Sequence, residues 1–205
     1  ASGAGTRIIT TPTDTQARPV GNKDAKVSSL VLWSVQEAPI SARNTKNFML
    51  KKTSVLILEN LRSVENTASI FRTAEGLGVS KIILVGTTPT PIDRFGRKRA
   101  DFAKVSLGAE DMVNWEYAKN ARVAIDGLKE NGFKIIALEQ DKKAIELAES
   151  DKPDKFALIA GNEVEGVSKE SLEACDEIVE IQMRGRKESL NVSVSLGIAL
   201  FVLQS

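Results

Sequence analysis

Histidine is absent from the 205 residues of this chain, and cysteine occurs once. Without histidine there is no Ser-His-Asp or Cys-His nucleophile system, no imidazole base and no imidazole metal ligand. One cysteine allows no internal disulfide and no thiolate zinc site, so no metal is expected and a reducing, cytoplasmic setting is. Cys175, in SLEACDEIVEI between an expected helix and an expected strand, reads as a buried structural thiol, since no imidazole can lower its pKa. Long apolar runs are also missing. The longest, Val192 to Leu203, is interrupted by Ser193, Ser195 and Gly197 and falls short of the roughly 18 to 20 residues that span a membrane.

Charge of one sign is scarce overall, with 28 Lys and Arg against 27 Asp and Glu, but its distribution is uneven. Residues 1 to 53 hold eight basic residues against three acids, a local balance of +5. Residues 1 to 26 are rich in Thr, Gly, Pro and Ala and are expected to form a flexible tail, because they bury too little to offset ordering. Residues 27 to 53 are expected to form a short arm anchored by Leu30, Trp33, Val35 and Phe48, leaving one compact domain over 54 to 205.

From residue 54 onward, short β-branched runs alternate with helical stretches. Strands are expected at 54–58, 81–85, 112–115, 134–138, 156–160 and 177–181, and helices near 63–77, 98–105, 118–131, 142–149, 168–174 and 190–203. Continuous apolar strands separated by helices indicate an α/β fold with a parallel sheet covered on both faces. Ligands of such sheets bind beyond the carboxyl ends of the strands, which directs attention to the segments that follow them.

The turn GNEVEGVS (161–168) is neither GxGxxG nor a P-loop, and Glu163 and Glu165 would repel a pyrophosphate. It suits a ligand that is cationic or neutral where it is touched; the plainer alternative is a strand-to-helix turn with acids near a helix N-terminus. In RGRKESLNVSVSLGIAL, a basic loop (Arg184, Arg186, Lys187) runs into a helix that is apolar on every side and should therefore be buried, for instance in a homodimer. Ser189 and Asn191 open that helix, as pocket residues or as a simple cap. In ENLRSVENTASIFRTAEGLG, Val64, Ala68, Phe71, Ala74 and Leu77 form an apolar stripe. Arg72 lies beside it, paired with Glu65 or Glu75 or free to hold a phosphate. The cluster RFGRKRADFAK (Arg94, Arg97, Lys98, Arg99, Lys104) either neutralises RNA phosphates or is a solvated basic face.

Taken in order, NTASIFRTAEGLG (66–78), GNEVEGVS (161–168) and SLNVSV (189–194), with LGAE (107–110) between them, resemble the TrmH branch of the SPOUT superfamily, RNA 2′-O-ribose methyltransferases that use S-adenosylmethionine. The resemblance covers residues 54 to 203 and implies a C-terminal deep trefoil knot, against the general rule that chains do not knot. It further implies a homodimer with active sites at the interface, a tRNA or rRNA substrate and S-adenosylmethionine as methyl donor. Carried over by position, the catalytic residues are Asn66, Arg72, Glu163, Ser189 and Asn191, with Asn66 and Glu163 orienting Arg72. The cofactor loops are Leu138, Glu139, Gly161, Ile181, Met183 and Leu190. One departure stands out: Gln182 occupies a position where the family pattern has proline, which restores an N–H and frees a φ angle. With the chain ending two residues past Leu203, RNA capture is expected from Arg94, Arg97, Lys98, Arg99, Lys104, Arg184, Arg186, Lys187 and the basic arm. The rival readings are a non-catalytic RNA-binding dimer of the same shape and a nucleotide-binding α/β oxidoreductase.

Overall fold

Seven parallel strands form the sheet of the computed structural model, which describes residues 52–205. The expected tail over 1–26 and the arm over 27–53, apart from its last two residues, lie outside the described residues. In chain order the elements are β1 (Thr53–Glu59), α1 (Val64–Gly76), β2 (Lys81–Val85), α2 (Ala100–Ser106), β3 (Trp115–Ala118), α3 (Ala121–Glu130) and β4 (Lys134–Leu138). They continue with β5 (Ile145–Glu146), β6 (Lys155–Ala160), α4 (Lys169–Ala174), β7 (Glu177–Glu180) and α5 (Val192–Gln204). The spatial order is β3-β2-β1-β6-β4-β7-β5. The expected parallel α/β class is therefore present.

The central strands are apolar along their length because both faces are covered. Leu56, Leu58, Ile82, Leu84, Ile136 and Leu158 join one core with Ile70, Phe71, Phe102, Leu196 and Leu200, beneath α1, α2 and α5. Phe71 and Phe102 meet edge to face at 5.2 Å. On the other face, α3 packs against α4, where Ile57, Ile125, Ile135 and Ile159 are fully buried. Side-chain caps start the helices that matter for the site: Ser63 Oγ accepts from Asn66 N at 3.1 Å, and Asn191 Oδ1 accepts from Ser193 N at 2.9 Å.

Two expectations are corrected. The strand expected at 112–115 begins at Trp115, because Ala109–Asp111 forms a 3₁₀ turn and Val113 is buried beside α1. Apolar character there marks the buried approach, while the edge strand WEYA is half exposed. The helix expected at 142–149 is a two-residue strand followed by a 3₁₀ turn at Leu147–Glu149; an Asp141 turn, with Lys143 N and Ala144 N bonded back to it, starts the segment and Pro153 follows it. Within its own chain, α5 buries Leu196, Ala199, Leu200 and Leu203 and leaves Ile198 and Phe201 40% and 64% exposed, a face for the partner surface that its apolar composition calls for.

Candidate functional site

All strands run the same way, so their carboxyl ends share one edge of the sheet, and the loops after β1, β4, β6 and β7 converge there. The loop after β6 is a tight turn. Asn162 N donates to Gly166 O at 3.0 Å and Gly166 N to Asn162 O at 2.9 Å, while Asn162 Oδ1 accepts from Val164 N and Glu165 N. No side chain fits at Gly161, where a Cβ would lie 2.2 Å from the Gly166 carbonyl.

This turn is clamped from both sides. Glu139, at the end of β4, accepts from Val167 N at 2.8 Å and from Gln140 N at 2.9 Å. From the other side, Glu163 reaches the start of α1. It accepts from Arg62 N at 2.9 Å, Ser63 N at 3.2 Å and Asn66 Nδ2 at 3.0 Å. Asn66 Oδ1 in turn accepts from Asn191 Nδ2 at 3.0 Å, which brings in the start of α5. Burial pushes the Glu163 carboxyl up, but the donors from Asn66, Arg62 and Ser63 outweigh it and hold it below the usual carboxylate range.

Between these loops lies a cleft of about 690 Å³ lined by Asn66, Leu138, Glu139, Gly161, Glu163, Ser189, Leu190 and Asn191, among others. A smaller cleft of about 140 Å³ adjoins it, lined by Ile181 and Met183 and sharing Leu138, Glu139, Ser189 and Leu190. All six residues expected around a cofactor therefore line one connected space, as do four of the five expected around the reaction. Gln182 is exposed and lines neither cleft, whereas its half-buried neighbours Ile181 and Met183 line the smaller one.

The fifth residue, Arg72, is elsewhere. It is exposed on α1 and has no ion pair or hydrogen bond among the described residues, so the expected pairing with Glu65 or Glu75 is absent, as is its orientation by Asn66 and Glu163. At about 100° per helical residue, six positions from Asn66 place Arg72 roughly 120° around the helix from it. Glu163 and Asn66 satisfy each other instead.

The clefts also include residues that the sequence reading passed over: Gln140, Asn162, Glu180, Glu188 and Ser195. Gln140 Nε2 donates to Glu188 O at 2.8 Å and ties the basic loop 184–187 to the end of β4. Asn162 sits inside GNEVEG and was visible as the one amide in that turn; the others carried no signal, since their role depends on tertiary neighbours. With Glu139, Glu163, Glu180 and Glu188 in their walls and no Lys or Arg, the clefts favour a cation over a pyrophosphate.

In the basic loop after β2, expected either to neutralise RNA phosphates or to form a solvated basic face, three of the five charges are paired. Arg97 pairs with Asp93 at 2.7 Å, Lys98 with Asp111 at 2.6 Å and Arg99 with Asp101 at 2.6 Å. Arg94 and Lys104 have no ion pair among the described residues, nor do Arg184, Arg186 and Lys187. The Cys175 thiol is half-buried, donates to Leu172 O, and has its pKa pushed up by burial, in keeping with an inert role.

Residues 53–201 match the sequence profile of the SpoU rRNA Methylase family. The chain is 33% identical over 147 residues to the tRNA (guanosine(18)-2′-O)-methyltransferase of Borreliella burgdorferi, covering 72% of this chain and 64% of that one. It is 34% identical over 146 residues to the 23S rRNA (guanosine-2′-O-)-methyltransferase RlmB of Neisseria meningitidis, covering 71% and 56%. The chain thus spans less than two thirds of the length of both. Among solved structures, an AdoMet-bound rRNA methyltransferase from Sinorhizobium meliloti superposes with a TM-score of 0.67 at 25% identity, over 74% of this chain and 55% of that one.

Proposed function

Because this chain belongs to the SpoU rRNA methylase family, we propose that it transfers a methyl group from S-adenosylmethionine to a ribose 2′-hydroxyl of tRNA or rRNA, as a homodimer. The observation that carries this reading is the acid-walled, cation-free cleft at the strand ends, closed by the Asn191–Asn66–Glu163 chain. The residues present fit the donor: Leu138, Ile181, Met183 and Leu190 offer apolar surface for a base, and the carboxylates complement a positively charged ligand. They do not suit a dinucleotide, which disfavours the oxidoreductase alternative.

Bound there, S-adenosylmethionine supplies a methyl group on a sulfonium that is already activated toward an oxygen nucleophile. The chain has to hold the ribose hydroxyl in line with that methyl and help its proton leave. Asn66 and Asn191, mutually bonded and anchored on the Glu163 carboxylate, form a rigid rim against which the ribose is oriented. A guanidinium stays protonated at neutral pH and is a poor base, so the role of Arg72 is to grip the adjacent phosphate and stabilise the developing alkoxide, while that phosphate or a water takes the proton.

That role requires Arg72 to enter a site it does not face within its own chain, and the dimer supplies the route. The α1 and α5 surfaces form an apolar groove of about 700 Å³ lined by Ser69, Thr73, Gly76, Val194, Ile198 and Phe201. A second copy seated here would bring the partner subunit's Arg72 to the cleft and cover the exposed face of α5. The trefoil knot implied by the family resemblance belongs to the same reading, in the β6 to α5 portion of the chain.

The test is incubation with radiolabelled S-adenosylmethionine and bulk tRNA or rRNA, followed by nuclease digestion to nucleosides. A labelled 2′-O-methylnucleoside is expected; binding of NAD in place of S-adenosylmethionine in isothermal titration would overturn the reading.

A further inference from the structure

The loop between β2 and α2 is a built feature. It projects from the carboxyl edge of the sheet, the edge that carries the cleft, and its root is pinned to the loop leading into α1. Thr88 Oγ1 accepts from Leu61 N at 3.1 Å and lies 2.8 Å from Leu58 O, while Thr87 N donates to Asn60 Oδ1. Its tip is a closed turn, with Gly96 N donating to Asp93 O at 2.9 Å, an antiparallel bridge between Ile92 and Lys98, and Gly96 at φ 76°. The Asp93 carboxylate accepts from Phe95 N, Arg97 N and Arg97 Nε, and these donors hold its pKa below the usual range.

At the apex stands Phe95, 67% exposed. The Arg97 guanidinium lies 5.1 Å from its ring centroid and is fixed there by Asp93. The Arg94 guanidinium lies 4.7 Å from the centroid and has no ion pair or hydrogen bond among the described residues. Arg97, Lys98 and Arg99 are paired with Asp93, Asp111 and Asp101, and the Phe95 ring is edged by the Asp93-held Arg97 and by Arg94. Neighbouring strands are about 4.8 Å apart, so the end of β2 lies roughly 10 Å across the sheet from the end of β6 and the turn that lines the cleft.

We propose that Phe95, with Arg94 and Arg97, is a stacking platform for an unpaired RNA base beside the nucleotide in the cleft. Arg94, with no ion pair or hydrogen bond among the described residues, closes over that base or takes its phosphate. The inference rests on the RNA-methyltransferase reading and sharpens it: the substrate would be a loop or single-stranded segment, because a base locked inside a duplex cannot reach the ring.

The experiment compares fluorescently labelled 12-nucleotide single-stranded RNA with a duplex of the same length and sequence, for the wild-type chain and for Phe95→Leu, Phe95→Trp and Arg94→Ala. Phe95→Leu keeps the apolar bulk and should weaken single-strand binding about tenfold, with little change for the duplex and none for S-adenosylmethionine. Phe95→Trp should restore affinity and lose indole emission as RNA binds. Single-strand affinity unchanged in Phe95→Leu together with no quenching in Phe95→Trp overturns the platform alone. Equal losses for single strand and duplex also overturn it, since they would mean that Phe95 only props up basic side chains. A wild-type chain that binds neither RNA overturns the function reading, and the platform with it.

Discussion

Asn66 and Glu163, 97 residues apart in the chain, meet at 3.0 Å, with the Asn66 amide donating to the carboxylate that also accepts from Arg62 N and Ser63 N. This contact joins the start of α1 to the turn after β6. Glu163→Ala leaves two backbone donors without their acceptor and frees Asn66. The expected result is a fall of about tenfold to a hundredfold in methyl transfer, at the scale of one or two charge-assisted hydrogen bonds of about 1.5 to 3 kcal/mol each, with only a small drop in melting temperature. Single-turnover methylation assays alongside thermal melts separate the two effects.

The same carboxylate predicts an acid-side dependence. Its folded pKa is depressed, so its contribution to stability is complete above the unfolded value of about 4.3 and is lost as pH falls through the folded value. Denaturant midpoints of the wild-type chain should therefore decline below about pH 4.3, and Glu163→Gln should flatten part of that decline. An identical acid slope in both proteins would show that Glu163 does not contribute to it.

Two glycines of the β6 turn should respond differently to alanine. At Gly161 the added Cβ would lie 2.2 Å from the Gly166 carbonyl and 2.3 Å from Val167 N, rigid backbone on both counts. At Gly166 it would meet Glu139 Oε2, the end of a side chain that can rotate away, though φ is 73°. Gly161→Ala should abolish S-adenosylmethionine binding in isothermal titration and cost about 1 to 3 kcal/mol of stability. Gly166→Ala should weaken binding only in part, since moving Glu139 loses the bond from Val167 N.

Salt dependence distinguishes paired from unpaired basic residues. Arg184, Arg186 and Lys187 have no acid partner among the described residues, whereas Lys98 and Arg99 are paired with Asp111 and Asp101. Replacing the first three by Ala should reduce the slope of log affinity for single-stranded RNA against log salt by up to about 2, at roughly 0.7 per phosphate contact. Replacing Lys98 and Arg99 should change it by less than half as much, as measured by fluorescence anisotropy between low and high salt.

What was legible beforehand follows from what local pattern encodes. β1, β2, β4, β6 and β7 lie within a residue or so of their expected bounds because buried parallel strands are continuous apolar runs, and α1 and α5 because caps and apolar stripes mark them. Asn66, Gly161, Glu163, Ser189, Leu190 and Asn191 of the cleft were recognisable from three short motifs, Leu138, Glu139, Ile181 and Met183 only through the family resemblance. The pairings were not. Asp111 is 13 residues from Lys98, in a 3₁₀ turn just before the strand expected at 112–115, so its neutralising role had no sequence signature. Nor did that of Phe95, a single aromatic among arginines whose exposure only the turn at Asp93–Gly96 reveals. The apolar composition of α5 called for burial on all sides with a second copy as one way to supply it, but composition does not say which face is buried within the chain and which is left exposed.

That exposed face and the isolation of Arg72 lead to one decisive mixture. Phe201→Asp places a charge in the α1/α5 groove and should shift the protein to a monomer in sedimentation velocity with loss of activity. The sharper experiment combines two inactive variants, Arg72→Ala and Asn191→Ala. If Arg72 acted within its own chain, each site of a mixed dimer would lack one of the two residues, and the mixture would stay inactive. If it acts across the interface, the chain that keeps Asn191 is served by the partner subunit's Arg72, so every mixed dimer regains one intact site. Random mixing at equal concentrations makes about half the dimers mixed, each with one of its two sites restored, so recovery of about a quarter of wild-type activity is expected after subunit exchange. Activity that stays at the level of the separate variants would place Arg72 in its own chain's site and require α1 to move to deliver it.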